Sequence, residues 1–233
     1  MLLTKPIREI LPSTPRAVVV RIDLAGSAFP YLPGQALLLG SHGHGHRRAY
    51  SLADSPEHAR RDDCLELLVG LNADGHVGPH LTLEPGSLVD LEGPIGRFTF
   101  PEGSTERRFL FIAGGTGIAP LRSMLRHALT VPHDEIGVRY SARLPTEFSY
   151  ERELRELAER GRIELELRVT RDVASDSWNG TRGRLAESDL APLVHGRETL
   201  CFVCGPPALV QEIPRVLEGL GVPKTRIRTE EGV

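Results

Sequence analysis

Gly114, Gly115 and Gly117, grouped with Thr116 ahead of Ile118-Ala119-Pro120, are the residues whose types and spacing most directly invite a ligand. Glycines let a backbone approach a pyrophosphate closely, and a helix opening just beyond them offers unpaired amides and its positive dipole end to that anion. No Lys-Ser/Thr pair follows, so the ATP-binding P-loop pattern is absent and phosphoryl chemistry is disfavoured. Cys201 and Cys204 form a C-x-x-C, but the apolar run TLCFVC reads as a strand, where a spacing of three sends the two thiols to opposite faces. A redox disulfide is therefore disfavoured. Three cysteines are too few for a four-thiolate iron-sulfur or zinc site, so any such cluster belongs to a partner. His42, His44 and His46 alternate with glycines and have no carboxylate or thiol beside them; a variable loop is expected there, and no metal.

The elements that must position these residues fall into two textures. In the first hundred residues, Val18, Val20, Ile22 and Leu24 alternate with their neighbours, as do Leu65, Leu67, Val69 and Leu71, which predicts half-buried strands. Further short strands are expected near 7–11, 36–39, 48–51 and 88–91, separated by turns such as Leu32-Pro33-Gly34 and Glu84-Pro85-Gly86. Six short strands without a long helix suggest a small antiparallel barrel. After Gly103-Ser104, strands and helices alternate. A strand over 108–113 leads into a helix opened by Pro120, with Leu121, Met124, Leu125 and Ala128 on its apolar face. A strand over 135–141 precedes a helix over 148–160, striped by Tyr150, Leu154, Leu157 and Ala158, paired Glu151/Arg155 and Glu156/Arg160, and capped by Gly161. Strands over 163–170, 200–204 and 226–229 and a helix from Pro207, kinked at Pro214, complete a βαβ series and predict a parallel sheet.

Size and charge bound the function. A chain of 233 residues suits two domains, and a formal charge of −3, from 28 basic and 31 acidic residues, gives no field to hold nucleic acid or an anionic membrane. The uncharged, apolar stretch 109–121 is interrupted by glycines and falls short of a membrane span, while Lys5, Pro6, Arg8 and Glu9 break any signal-peptide core. A cytoplasmic protein with no membrane span and no nucleic-acid partner is expected.

Taken in order, Arg48-Ala49-Tyr50-Ser51, Gly93-Pro94-Ile95-Gly96-Arg97-Phe98, the glycine turn at 114–117 and Cys204-Gly205-Pro206-Pro207 resemble the ferredoxin-NADP+ reductase superfamily over nearly the whole chain. Singly, Arg48 reads as a surface charge, Tyr50 as a core aromatic and Ser51 as a turn residue; the ordered set is far more specific. The resemblance implies a six-stranded antiparallel Greek-key barrel binding FAD over residues 1–102 and a parallel α/β domain binding NADPH or NADH over 103–233. It implies that Arg48 pairs with a flavin phosphate, that Tyr50, following Ala49, stacks on the isoalloxazine, and that Ser51 hydrogen-bonds near flavin N5. Val69 falls within the implied flavin site. Gly75-His76-Val77-Gly78 stands where relatives have a glycine-led turn ending in Ser or Thr on the pyrophosphate. That hydroxyl is missing here and Pro79 has no N–H, which leaves the grip to Arg48 and the Val77 and Gly78 amides. Gly70 stands where many relatives have a basic residue. FAD is favoured over FMN.

In the second half, the resemblance places Gly114, Gly115, Thr116, Gly117 and Pro120 at the coenzyme, with Thr116 and Cys204 flanking the nicotinamide and Gly205 and Pro206 beside it. Glu230 matches a near-terminal acid linked with proton handling, while the aromatic that often follows two residues later is here Gly232. Ser141-Ala142-Arg143 offers no acid for a ribose hydroxyl, and Thr170-Arg171 resembles a Ser-Arg pair that holds the NADPH 2′-phosphate, so NADPH is preferred with NADH still open. Ser51, Cys204 and Glu230 are the expected catalytic set. The implied activity passes hydride from NAD(P)H to FAD, then single electrons to a ferredoxin, an oxygenase component or a cytochrome. Reduction of free flavin, ferric chelate or quinone, and a flavin-binding subunit or sensor without turnover, are the alternatives; oligomeric state stays open.

Overall fold

The computed structural model describes residues 1–171 and 178–232. The first half forms β1 (Leu2–Thr14), β2 (Ala17–Asp23), β3 (Ala36–Ser41), β4 (Arg48–Ser51), a short helix α1 (Pro56–Asp62), β5 (Cys64–Gly70) and β6 (Leu88–Ile95). The strands pair antiparallel in the order β4-β3-β6-β1-β2-β5, and a bridge between Leu52 and Leu67 joins the two ends. The expected Greek-key barrel is present, its interior filled by Ile7, Val20, Ile22, Leu37, Leu39, Leu65, Leu67, Val89 and Leu91. Period-two alternation puts these residues inside. The helix α1 has no counterpart in the strand reading. Ser55 caps it by accepting from the His58 amide and Pro56 opens it, but seven residues with only Ala59 buried leave almost no amphipathic signature.

The second half forms β7 (Arg108–Gly114), α2 (Ile118–Ala128), β8 (Glu135–Ala142), α3 (Glu151–Glu159), β9 (Glu164–Val169), β10 (Thr181–Arg182), α4 (Glu187–Leu190), β11 (Thr199–Gly205), α5 (Pro207–Gly219) and β12 (Ile227–Glu231). All its strands are parallel, in the order β10-β9-β8-β7-β11-β12. The chain runs outward from β7 in one direction, then returns to β7's other side, so a topological switch point lies between β7 and β11.

Several boundaries differ from the sequence expectation. Gly115–Gly117 forms a single 3-10 turn and α2 starts at Ile118, so Pro120 sits inside the first turn, where its missing N–H costs nothing. Helix α3 starts at Glu151, not Phe148: Phe148 is extended and packs edge-on against Tyr140, and Tyr150 is left-handed at φ 59°. On α3, Arg155 pairs with Glu151 as expected, but Glu156 pairs with Arg152, not Arg160. Helix α5 runs without interruption through Pro214.

The two sheets are joined by burial and by charge. Phe98 and Phe100, just beyond β6, enter the second core: Phe100 stacks on Phe202 at 5.6 Å, which stacks on Phe111 at 5.2 Å. Burying each such ring contributes about 2–3 kcal/mol. Beside them, α2 turns Arg122 toward the barrel. The buried Arg122 guanidinium donates to Glu66 at 2.8 Å and the Ala53 carbonyl at 2.7 Å, reaches Glu153 of α3 at 2.7 Å, and lies 4.0 Å over the Tyr150 ring. One turn on, Arg126 binds Asp54 and Glu153. Burial alone would raise the Glu153 carboxyl, but Arg122 and Arg126 outweigh it and hold that carboxyl below its ordinary range.

Candidate functional site

A cleft of about 590 Å³ opens where the parallel strands end and the barrel faces them. That size suits a nucleotide-like ligand, and its position at the carboxyl ends of the strands by the switch point is where open α/β sheets bind ligands. One wall is Gly114, Gly115 and Thr116 after β7, Ser141 to Arg143 at the end of β8, Thr170 after β9, and Gly205 to Ala208 leading into α5. The opposite wall is Thr14, Arg16, Ala17, Gly70 and Leu71 of the barrel. Gly70 has no side chain to fill the gap: a Cβ there would lie 3.9 Å from the Thr116 methyl.

The two glycine turns are shaped by each other. A Cβ on Gly117 would lie 2.6 Å from the Cys204 carbonyl carbon and 2.8 Å from the Gly205 nitrogen, and one on Gly114 would meet Pro206 at 2.7 Å. Gly115 has open space around it but takes φ +55°, the left-handed region glycine favours. Below the turn, Tyr140 is fully buried; its hydroxyl donates to the Gly115 carbonyl at 3.0 Å and accepts from the Ser149 amide at 3.1 Å, which fixes the turn's height above β8. Nothing in the sequence separated Tyr140 from any other strand aromatic.

The charged lining of the cleft is Arg16, Arg143 and Arg184 against Glu147 and Glu212, a small positive excess. Arg16 and Arg143 have no carboxylate partner among the described residues, while Arg184 pairs with Glu212 at 3.2 Å. Arg171, expected with Arg143, does not line the cleft, although its amide donates to the Arg143 carbonyl; the Thr170 hydroxyl donates to the Ala142 carbonyl. Arg16 and Arg184 were missed by sequence reading, since isolated arginines carry no positional signal.

Cys201 and Cys204 face opposite sides of the sheet, as their spacing predicts, Cys204 toward the Phe202 core and Cys201 toward α5. Burial pushes the Cys201 thiol up to about 12 and the Cys204 thiol still higher, so both stay protonated and unreactive as thiolates. Glu230 pairs in register with Cys204 across β11 and β12 and lines a second hollow with Arg97, Phe98, Arg228 and Thr229. Half-burial raises its carboxyl to about 7.

On the barrel, β4 presents Arg48 to solvent and leaves Ala49, Tyr50 and Ser51 half-buried, with Val69 inside on β5. The Tyr50 hydroxyl lies 2.8 Å from His80 Nε2 and the two rings are stacked. Gly75 and Gly78 take φ of +82° and +90°, and Val77 between them is buried. Arg48 has no carboxylate partner among the described residues. An unpaired cation, a half-exposed aromatic face and two turn glycines fit a phosphorylated, planar cofactor such as a flavin nucleotide. His42 Nδ1 donates to Asp90 Oδ1 at 2.9 Å on the barrel's outer face. No helix among the described residues is long and apolar enough to cross a membrane.

Comparison with known proteins agrees with this layout. An oxidoreductase FAD-binding domain model matches residues 8–100, and an oxidoreductase NAD-binding domain model matches 111–214. Ferredoxin-NADP reductase B of Sorangium cellulosum is 32% identical across 96% of this chain and 93% of its own length. The reductase component of propane 2-monooxygenase of Rhodococcus jostii is 28% identical over 95% of this chain, which spans 61% of that protein. Among solved structures, a ferredoxin NADP+ reductase from Neisseria gonorrhoeae with bound FAD and NADP superposes with a TM-score of 0.82 at 21% identity, over 100% of this chain and 99% of that one.

Proposed function

Since the chain belongs to the ferredoxin-NADP reductase superfamily in its two-domain form, we propose that it delivers electrons from NADPH to a one-electron redox protein, a ferredoxin or an oxygenase component. It is an FAD-dependent NAD(P)H oxidoreductase. FAD, when bound, supplies the chemistry: it takes hydride from the nicotinamide and releases electrons singly to the external acceptor. The protein's part is alignment, and the observation that carries the reading is the cleft walled by both sheets.

Residues 1–102 and 103–233 then act as the flavin and coenzyme units. Arg48, Tyr50, Ser51 and the Gly75–Gly78 turn hold the flavin, and the turns at Gly114–Gly117 and Cys204–Pro206 hold the coenzyme against it. The Cys204 thiol stays neutral and packs into the Phe202 core, while Gly205 and Pro206 next to it line the cleft. The unpaired Arg16 and Arg143 favour the extra phosphate of NADPH over NADH. Rapid mixing of the flavin-loaded protein with each coenzyme tests this: bleaching of the flavin absorbance, faster with NADPH, is expected, and no bleaching with either coenzyme overturns it.

Glu230 is placed to hold a proton at neutral pH. Its folded value of about 7 exceeds the ordinary 4.5, so its contribution to stability is complete below the ordinary value and is lost as pH rises through about 7. The bleaching rate is expected to fall across the same interval. In Glu230→Gln, both the thermal midpoint and the rate should lose that inflection; an unchanged profile would assign the proton to another group.

A further inference from the structure

His80 carries an unexplained atom. The residue is 4% exposed, its Nε2 is engaged with the Tyr50 hydroxyl, and its buried Nδ1 has no hydrogen-bond partner. A buried polar atom left unpaired costs about 1–3 kcal/mol, so a native structure that keeps one commonly reserves it for a ligand. Around Nδ1 the surroundings are those of an anion site. A Cβ added at Gly78 would find only His80 Nδ1 within 4 Å, at 3.7 Å, so this nitrogen looks onto a turn that has no side chain. The Val77 and Gly78 amides of that turn bond to nothing among the described residues. Burial, and second to it the charge of the nearby, itself unpaired Arg48, hold His80 below its ordinary range, so the ring is neutral.

We propose that His80 is a cofactor-binding residue whose Nδ1–H donates to a phosphate oxygen of the flavin nucleotide, beside Arg48 and the Gly78 turn. This inference rests on the flavin reading above. A phosphate oxygen only accepts, so the single proton of the neutral ring must be on Nδ1. Nε2 is then bare and accepts from the Tyr50 hydroxyl. One imidazole thus links the two halves of the cofactor site: it grips the phosphate at one nitrogen and orients, through the other, the ring on which the flavin rests. The chain has no hydroxyl at Gly78, and a donor three bonds into a neighbouring side chain replaces it.

The test uses apo-protein titrated with FAD, FMN and riboflavin, followed by flavin fluorescence. His80→Phe keeps an aromatic of similar size and removes the donor. FAD affinity is expected to fall about ten- to hundredfold, and that of riboflavin, which has no phosphate and loses only the Tyr50 orientation, by much less. FMN falling with FAD places the contact on the phosphate nearer the ring; FMN unaffected places it on the distal one. Equal losses for FAD and riboflavin, or no loss, overturn the inference. Should His80→Phe not fold, nitrogen NMR of the wild-type histidine decides: with FAD bound, protonation at Nε2 instead of Nδ1 overturns it. Wild-type protein that takes up no flavin at all would overturn the proposed function instead, so the two failures are distinct.

Discussion

Arg122→Met is expected to lower stability by about 3 kcal/mol at neutral pH, measured by urea denaturation, because it leaves two buried carboxylates short of a cation. In the native protein Arg122 spans Glu66 of the barrel and Glu153 of α3, and it satisfies the Ala53 carbonyl as well. Arg21 still reaches Glu66 and Arg126 still reaches Glu153 in the variant, which keeps the loss from growing further. Its pH dependence has a definite sign. Glu153 sits below its ordinary value of 4.5 in the native fold, so its contribution is present above that value and is lost as pH falls through the folded one. Without Arg122, burial pushes the Glu153 carboxyl upward against fewer cations. The difference between variant and wild type should therefore be greatest near neutrality and shrink in acid. A constant difference would mean that lost packing against Tyr150, not charge, is the main cost. Because this network bolts the barrel to α2, the flavin bleaching rate is expected to fall with it.

Gly117→Ala should lower stability by about 2–3 kcal/mol and weaken NADP+ binding at least about tenfold in equilibrium titration. The added methyl would press on the Cys204 carbonyl and the Gly205 nitrogen, both backbone at the end of a central strand that pairs on both sides. Neither can swing away as a side-chain tip could, so the two turns lining the coenzyme cleft must part. Gly115→Ala is the control. Space is open at that position and only its left-handed backbone resists, at about 1–2 kcal/mol. If the two variants behaved alike, the close approach of the turns would not be what Gly117 provides.

Much of the architecture was legible because it is local. Alternation in 17–24 and 64–71 marked barrel strands, since a residue's face in a strand follows from parity alone. The glycine turn was legible for the same reason: strand, glycines and helix are consecutive. The helix starting at Phe148 was misread because Phe148 and Tyr150 are apolar at helical spacing, yet their places are set by Tyr140 and Arg122, which are distant in sequence. Arg122 itself reads as the solvent side of an amphipathic helix. It is buried only because α2 has the barrel on its second side, a circumstance no helical periodicity can encode.

The functional site divides along the same line. Motif order alone pointed to the cofactor class and the two-module plan, and singled out Arg48, Tyr50, Thr116, Cys204 and Glu230 as candidates, since each belongs to a short segment with its own chemistry. Folding established which glycine has no room for a methyl, that Cys204 is an inert thiol, that Glu230 titrates near neutrality, and that His80 aims a buried nitrogen at an unclaimed turn. Those properties depend on burial and on contacts between segments far apart in the chain. Desolvation and steric exclusion arise only once the segments are brought together.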